Sequence, residues 1–252
     1  VGMMVSKFLL SRCFIVMISG VLLLISFILL KISHSIYTEM LEVRLDPSQQ
    51  RFYQTDNLRL KSDSINSTSY RVVLFGDSRI QMWDEIPQID GFEFINRGIG
   101  GQTTAQVALR VENDILAINA DAVVLQLGIN DLKAIAFTPD KRDKIIQTVQ
   151  DNLQNIIETL LAHDIDVYLI TVIPASTPQG KWYFLWSDDI DSAVVNINNW
   201  IKKIDKDGVY ILDPTTKLTN GLKTDKKFSL DTMHLNEMGY SILNNMLKDT
   251  FK

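Results

Sequence analysis

The sequence predicts an α/β protein: a three-layer α/β/α sandwich around a five-stranded parallel sheet, preceded by an N-terminal transmembrane helix. Three observations lead there. From residue 70 onward, short apolar runs alternate with longer stretches of helical periodicity; strands that alternate with helices need crossover connections and therefore pair in parallel. The strand runs, such as Val-Val-Leu-Phe at 72–75 and Ala-Val-Val-Leu-Gln-Leu at 122–127, are apolar on both faces, as a sheet covered on both sides requires. Ahead of these, residues 13–30 read CFIVMISGVLLLISFILL without a charge, which meets the lower length for a membrane-spanning helix.

In chain order, residues 1–12 are expected as a short cytoplasmic N-terminus and 13–32 as a signal anchor. Lys7 and Arg12 precede the apolar run and favour an N-inside orientation, against weaker opposition from Lys31 and Arg44. That orientation places the rest of the chain on the periplasmic or extracellular side. A cleaved signal peptide is the competing reading, but the apolar core is long and no Ala-x-Ala site follows. A lipoprotein signal fails, because Cys13 stands before the apolar run rather than after it. Residues 33–69 read as a juxtamembrane stalk, polar and ending in DSINSTSY. Asn66-Ser67-Thr68 fits a glycosylation sequon, relevant only in a eukaryotic secretory route.

Residues 70–252 form the expected folded domain. Its strands are placed at 71–76, 93–96, 121–127, 166–173 and 208–212, with helices at 103–118, 139–162, 188–206 and 236–251. The clearest helix carries Ile145, Ile146, Val149, Leu153, Ile156, Ile157, Leu160 and Leu161 on one stripe. Thr138 and Pro139 supply an expected N-cap and first helical position.

Composition narrows the function. At 252 residues and 46% hydrophobic, the chain can bury a sizeable core. A net charge of -5 argues against a nucleic-acid partner. One cysteine and three histidines leave no disulfide and no multi-histidine or cysteine metal centre, so no metal is expected; nor is a cofactor, which the serine chemistry read below does not need.

In a doubly wound sheet the ligand crevice lies beyond the C-terminal strand ends. Gly76-Asp77-Ser78 follows the first strand, Asn96-Arg97-Gly98-Ile99-Gly100-Gly101-Gln102-Thr103 the second, and Gly128-Ile129-Asn130-Asp131 the third. Asp231-Thr232-Met233-His234 precedes the last helix. Singly, each reads as a turn, a cap or a surface histidine. Jointly, they supply what nucleophilic catalysis needs. A serine needs an adjacent base; histidine titrates near neutrality; a carboxylate must orient its other nitrogen. Within a helical turn, Asp231 and His234 are neighbours at a spacing of three. The oxyanion needs aimed donors: the Ser78 N–H, a glycine N–H and the Asn130 amide.

These four blocks resemble those of the SGNH hydrolases, the GDSL-like esterase and lipase superfamily. The stretch from Asn96 to Thr104 is similar to lysophospholipase-like esterases and platelet-activating-factor acetylhydrolase catalytic subunits. The resemblance covers residues 71 to about 250 and implies a flavodoxin-like fold of SGNH type. It implies Ser78 as nucleophile, Asp231 and His234 as its triad partners, and Gly101 (rather than Gly100) with Asn130 as oxyanion donors. Arg79 stands where the name-giving pattern has leucine or isoleucine; it either meets an anionic or sugar-rich substrate at the pocket entrance or lies solvated on a helix. After the fourth strand, Trp182, Tyr183 and Trp186 line an acyl or sugar pocket, lie against the membrane, or pack locally. His163 and His34 are expected outside the site. Asp188-Asp189-x-Asp191 suits a helix start, where carboxylates oppose the dipole, better than a cation site.

The expected function is a membrane-anchored serine esterase acting through an acyl-enzyme, with an acylated glycan or a lipid as ester substrate. Short O-acetyl esters of envelope glycans lead. A lysophospholipase or thioesterase for longer chains is the alternative, as is a glycan-binding or acyl-transfer protein without hydrolysis.

Overall fold

The computed structural model describes residues 2–63 and 69–252, so the Asn66-Ser67-Thr68 sequon lies outside the described residues. The chain divides into two compact units, one up to Gln49 and one of Gln50–Lys252. The first unit is essentially one helix, α1 (Gly2–Leu45). Its stretch Phe14–Leu45 is long and apolar enough to cross a membrane, and none of it is buried against protein.

In the second unit the helices are α2 (Gln54–Asp63), α3 (Ser78–Gln81), α4 (Thr104–Ala108), α5 (Val111–Asp114), α6 (Ile129–Leu132), α7 (Arg142–Leu161), α8 (Trp182–Leu185), α9 (Asp188–Ile201), α10 (Thr215–Leu218) and α11 (Glu237–Thr250). The strands of the main sheet are β1 (Tyr70–Gly76), β2 (Phe92–Gly98), β3 (Ala122–Gln126), β4 (Asp166–Ile170) and β5 (Val209–Leu212), and two-residue strands at Thr219–Asn220 and Lys223–Thr224 pair separately. The main sheet has its five strands in the order β2-β1-β3-β4-β5, parallel throughout. The alternation of strand side chains sorts the core into two layers. Val73, Phe75, Val123, Leu125, Val167 and Leu169 face one cluster with residues of α7 and α9. Val72, Leu74, Val124 and Ile170 face the other, with Trp83 and Leu243 and Leu247 of α11. This is the three-layer sandwich that apolar runs on both faces foretell.

Three local expectations change. The folded unit begins at Gln50, not at residue 70, because α2 is docked onto it by polar contacts. The Tyr53 hydroxyl donates to the Gly98 carbonyl at 2.6 Å. Asn57 donates to the Asp114 carboxylate at 2.7 Å, and Arg97 reaches Asp56 at 2.7 Å. The helix expected over 103–118 is broken between α4 and α5, where the buried Arg110 guanidinium turns inward to Gln102, to the Arg97 carbonyl and to Asp114. Residues Pro139–Lys141 form a 3-10 turn, and α7 starts only at Arg142. The Thr138 hydroxyl bonds back to the Ala134 carbonyl at 2.9 Å and is thereby withdrawn from capping.

Candidate active site

The site is built from the first strand outward. Gly76 pairs with Gly98 on one side and Gln126 on the other, so β1 ends between two close neighbours. A Cβ at Gly76 would lie 1.9 Å from the Gln126 carbonyl oxygen; no residue but glycine fits there. Asp77 caps the helix that follows, its Oδ1 accepting the Arg79 N–H at 2.9 Å. Ser78 is thereby the first residue of α3, half-buried at the C-terminal edge of the sheet.

His234 meets it from the far end of the chain. Its Nε2 lies 3.0 Å from Ser78 Oγ, and its Nδ1 lies 2.9 Å from Asp231 Oδ2. The imidazole therefore bridges hydroxyl and carboxylate. The segment is not the helical turn expected. Asp231 Oδ1 accepts the N–H groups of Met233 at 2.7 Å and His234 at 2.9 Å, so the carboxylate itself folds the turn, as Asp does in non-helical chain, and α11 begins three residues later. Burial acts first on the Asp231 carboxyl and would raise it; the hydrogen bonds from the His234 ring and from the two backbone N–H groups outweigh burial and hold it below the usual value. Asp231 stays ionised and keeps its ring partner oriented.

The loop after β2 is pinned opposite. Asn130 Nδ2 donates to the Gln102 carbonyl at 3.0 Å. The Asp131 carboxylate accepts the Thr104 N–H at 2.9 Å and the Thr104 hydroxyl at 2.7 Å. Two segments 27 residues apart are thus joined at the start of α4. Burial is the main influence on Asp131 and pushes its carboxyl up to about 6. Gly100 borders the serine directly: a Cβ there would stand 3.8 Å from Ser78 Cβ. Gly101 is exposed with φ +77, a left-handed conformation that turns the chain.

Arg79 is neither solvated nor at the pocket entrance. It is 2% exposed, and its guanidinium donates to the carbonyls of Met233 at 2.8 Å, Pro174 and Ile173. It ties the serine turn to the segment after β4 and to the histidine turn. A fork of five donors suits several carbonyls in a way leucine cannot. Tyr240 adds a fourth tie, its hydroxyl donating to the Arg79 carbonyl at 2.8 Å. Sequence reasoning also passed over Asp77 as an ionisable group. It is fully buried; burial raises its carboxyl, against the charges of Arg79, Lys133 and His234.

The aromatic loop divides. Trp182 and Trp186 pack partly buried against the core, edge to face at 6.2 Å. Trp186 Nε1 donates to Asp191 Oδ1 at 3.2 Å. Tyr183 and Phe184 project outward, 73% and 83% exposed. Loop and histidine turn are stitched together, because Ser176 N–H donates to the Thr232 carbonyl at 2.8 Å and Gln179 N–H to the Thr232 hydroxyl at 2.9 Å. Asp191 is buried and paired with Lys223, while Ser187 caps α9 by accepting the Asp189 N–H. His163 is exposed and bonded to the Thr159 carbonyl; His34 lies exposed on α1.

Comparison with known proteins gives the family and the fold. Residues 69–242 match the family model described as GDSL-like lipase/acylhydrolase. An uncharacterized lipoprotein, YqeF of Bacillus subtilis strain 168, is 30% identical over 138 residues, covering 48% of this chain and 56% of that protein. The chain thus spans little more than half the length of that curated relative. Among solved structures, a GDSL-like lipase from Bacteroides thetaiotaomicron superposes with a TM-score of 0.61 at 22% identity, over 81% of this chain and 97% of the other. An acetyl xylan esterase superposes with a TM-score of 0.53 at 23% identity, over 72% of this chain and all of its own. At these identities the structures share the fold.

Proposed function

The chain belongs to the GDSL-like lipase/acylhydrolase family, and from that premise we propose that it is a membrane-anchored serine esterase whose triad is Ser78, His234 and Asp231. One observation carries the reading: the His234 ring spans Ser78 Oγ at 3.0 Å and Asp231 at 2.9 Å. His234 Nε2 takes the Ser78 proton as Oγ attacks the ester carbonyl. The tetrahedral oxyanion is received by the N–H groups of Ser78 and Gly101 and by the Asn130 amide. His234 returns its proton to the leaving alcohol, and an acyl-Ser78 remains. Water, deprotonated by the same nitrogen, releases the acid and restores the hydroxyl. Aimed donors of this kind each contribute about 10²–10³ in turnover.

Short acyl groups, in particular O-acetyl esters of envelope glycans, are the proposed substrates. The acetyl xylan esterase fold supports this, as does the apolar helix, which we read as an uncleaved anchor with the esterase unit outside the cytoplasm. The exposed Tyr183 and Phe184 favour a second reading, a lysophospholipase or thioesterase that seats a long acyl chain. A ladder of p-nitrophenyl esters from acetyl to dodecanoyl separates the two. The acetylesterase reading expects kcat/KM to be highest at two to four carbons and to fall beyond. A rise toward the long chains would overturn it in favour of the second.

A further inference from the structure

We propose that Lys133 and Lys181, gathered on the ring of Trp182, receive a negative charge, a carboxylate or phosphate, carried on the alcohol part of the ester. The inference deepens the serine-esterase reading and rests on it. Lys133 follows Asn130 by three residues, at the end of α6. It therefore leaves the chain one helical turn from the oxyanion asparagine, on the same side of that turn. Its ammonium stands 5.3 Å from the centroid of Trp182, and the Lys181 ammonium stands at the same distance from that ring. One cation on an aromatic face is an ordinary packing arrangement. Two on one ring repel each other, and neither is among the described ion pairs.

Lys133 is also half-buried, so its charge has given up part of its hydration. Burial is the main influence that lowers its pKa; Arg79 and Lys181 lower it further, while Asp77 and Asp131 oppose them. Those two carboxylates do not neutralise the site. Asp77 is enclosed behind Ser78 with its own carboxyl raised, and Asp131 is held by Thr104. An anion entering above Trp182 would relieve the repulsion between the ammonium groups and orient the ester beside Asn130. Lys133 and Lys181 are positioning and specificity residues in this account; the chemistry stays with Ser78.

The test uses the full chain in detergent and two aryl acetates, 4-nitrophenyl acetate and its 3-carboxy derivative. Each variant is read as the ratio of kcat/KM for the anionic ester to that for the neutral one, so the intrinsic reactivity of the two leaving groups cancels between proteins. Relative to wild type, Lys133→Gln should lower that ratio about tenfold, chiefly through KM. Lys181→Gln should lower it less, and Lys133→Arg should restore most of it. Added salt at about 0.5 M should erode the wild-type ratio. Repeating the comparison on an O-acetylated uronic-acid oligosaccharide and on lysophosphatidic acid identifies the source: dependence on Lys133 with the first marks a glycan carboxylate, with the second a lipid phosphate. Equal loss on both aryl esters, or an unchanged ratio, overturns the inference while leaving the esterase intact. If wild-type protein cleaves neither aryl ester, the short-acyl esterase reading fails, and this inference with it.

Discussion

A serine hydroxyl becomes a nucleophile only when a base can take its proton, and the contacts at Ser78 assign that work to few atoms. Ser78→Ala should therefore lower kcat/KM on p-nitrophenyl acetate by about 10⁴–10⁶, with an unchanged melting temperature. Asp231→Asn should cost about 10⁴ in kcat, because an amide holds the imidazole in the wrong tautomer. The depressed carboxyl of Asp231 means that acid inactivation through loss of this orienting charge sets in below its ordinary value of 3.8. Arg79 tests the opposite kind of residue. Arg79→Met keeps bulk and deletes every donor, stranding the carbonyls of Met233, Ile173 and Pro174. Urea unfolding should show about 2–4 kcal/mol of lost stability, and activity should fall because the serine turn and histidine turn lose their shared brace. That Ser78, His234 and Asp231 would meet was legible in the sequence, because nucleophilic catalysis restricts residue types so tightly. Arg79 was not: its partners are backbone carbonyls near residues 173 and 233, and a backbone carbonyl carries no signature of side-chain identity.

Elements were legible in proportion to how much apolar surface they hide. The inner strands β1, β3 and β4 read as apolar runs because both of their faces are largely covered, although β4 ends at Ile170 rather than at the expected 173; the edge strands β2 and β5 lie close to their expected ranges but carry polar or exposed residues, such as Glu93 and the exposed Tyr210. By contrast α3 and α6 are four residues each, barely one helical period of 3.6, too short for an apolar stripe to repeat. The Asp231–His234 turn was expected as helix and is folded by its own carboxylate, so the spacing of three was informative but the element was not. The clamp between Asp131 and Thr104 joins two elements through a contact that neither sequence neighbourhood shows. Its carboxyl, raised to about 6 by burial, gives a pH prediction. In the unfolded chain the group ionises near 3.8, so between about pH 4 and 6 the native state holds the extra proton. The stability that this group contributes is therefore present at low pH and lost as pH rises through that window, by roughly 1–3 kcal/mol. Asp131→Asn should flatten the difference: measured against the variant, wild type should gain stability from pH 7.5 to pH 5. Gly76→Ala addresses β1 itself. A methyl 1.9 Å from the Gln126 oxygen cannot be placed without moving a central strand, and the variant should fail to accumulate as folded protein.

For the whole molecule, the order of elements and the layers were legible, while the start of the folded unit was not. An apolar stripe announces a helix that packs through its core face, but α2 buries a lone Leu60 and docks through Asp56 and Asn57, with Tyr53 just ahead of it, onto Arg97, Asp114 and the Gly98 carbonyl. Deleting residues 1–49 should leave a protein that needs no detergent, folds, and hydrolyses p-nitrophenyl acetate. Deleting residues 1–69 strips the cover from Arg97 and should lower the melting temperature markedly, because a buried guanidinium loses its carboxylate partner. The central claim, that Ser78 is an activated nucleophile served by His234, is tested most directly by a fluorophosphonate probe with the adduct mapped by peptide mass spectrometry. The account predicts one adduct, on Ser78, absent from Ser78→Ala and formed far more slowly in His234→Ala; folded wild-type protein that stays unlabelled, or that is labelled at another residue, would contradict it.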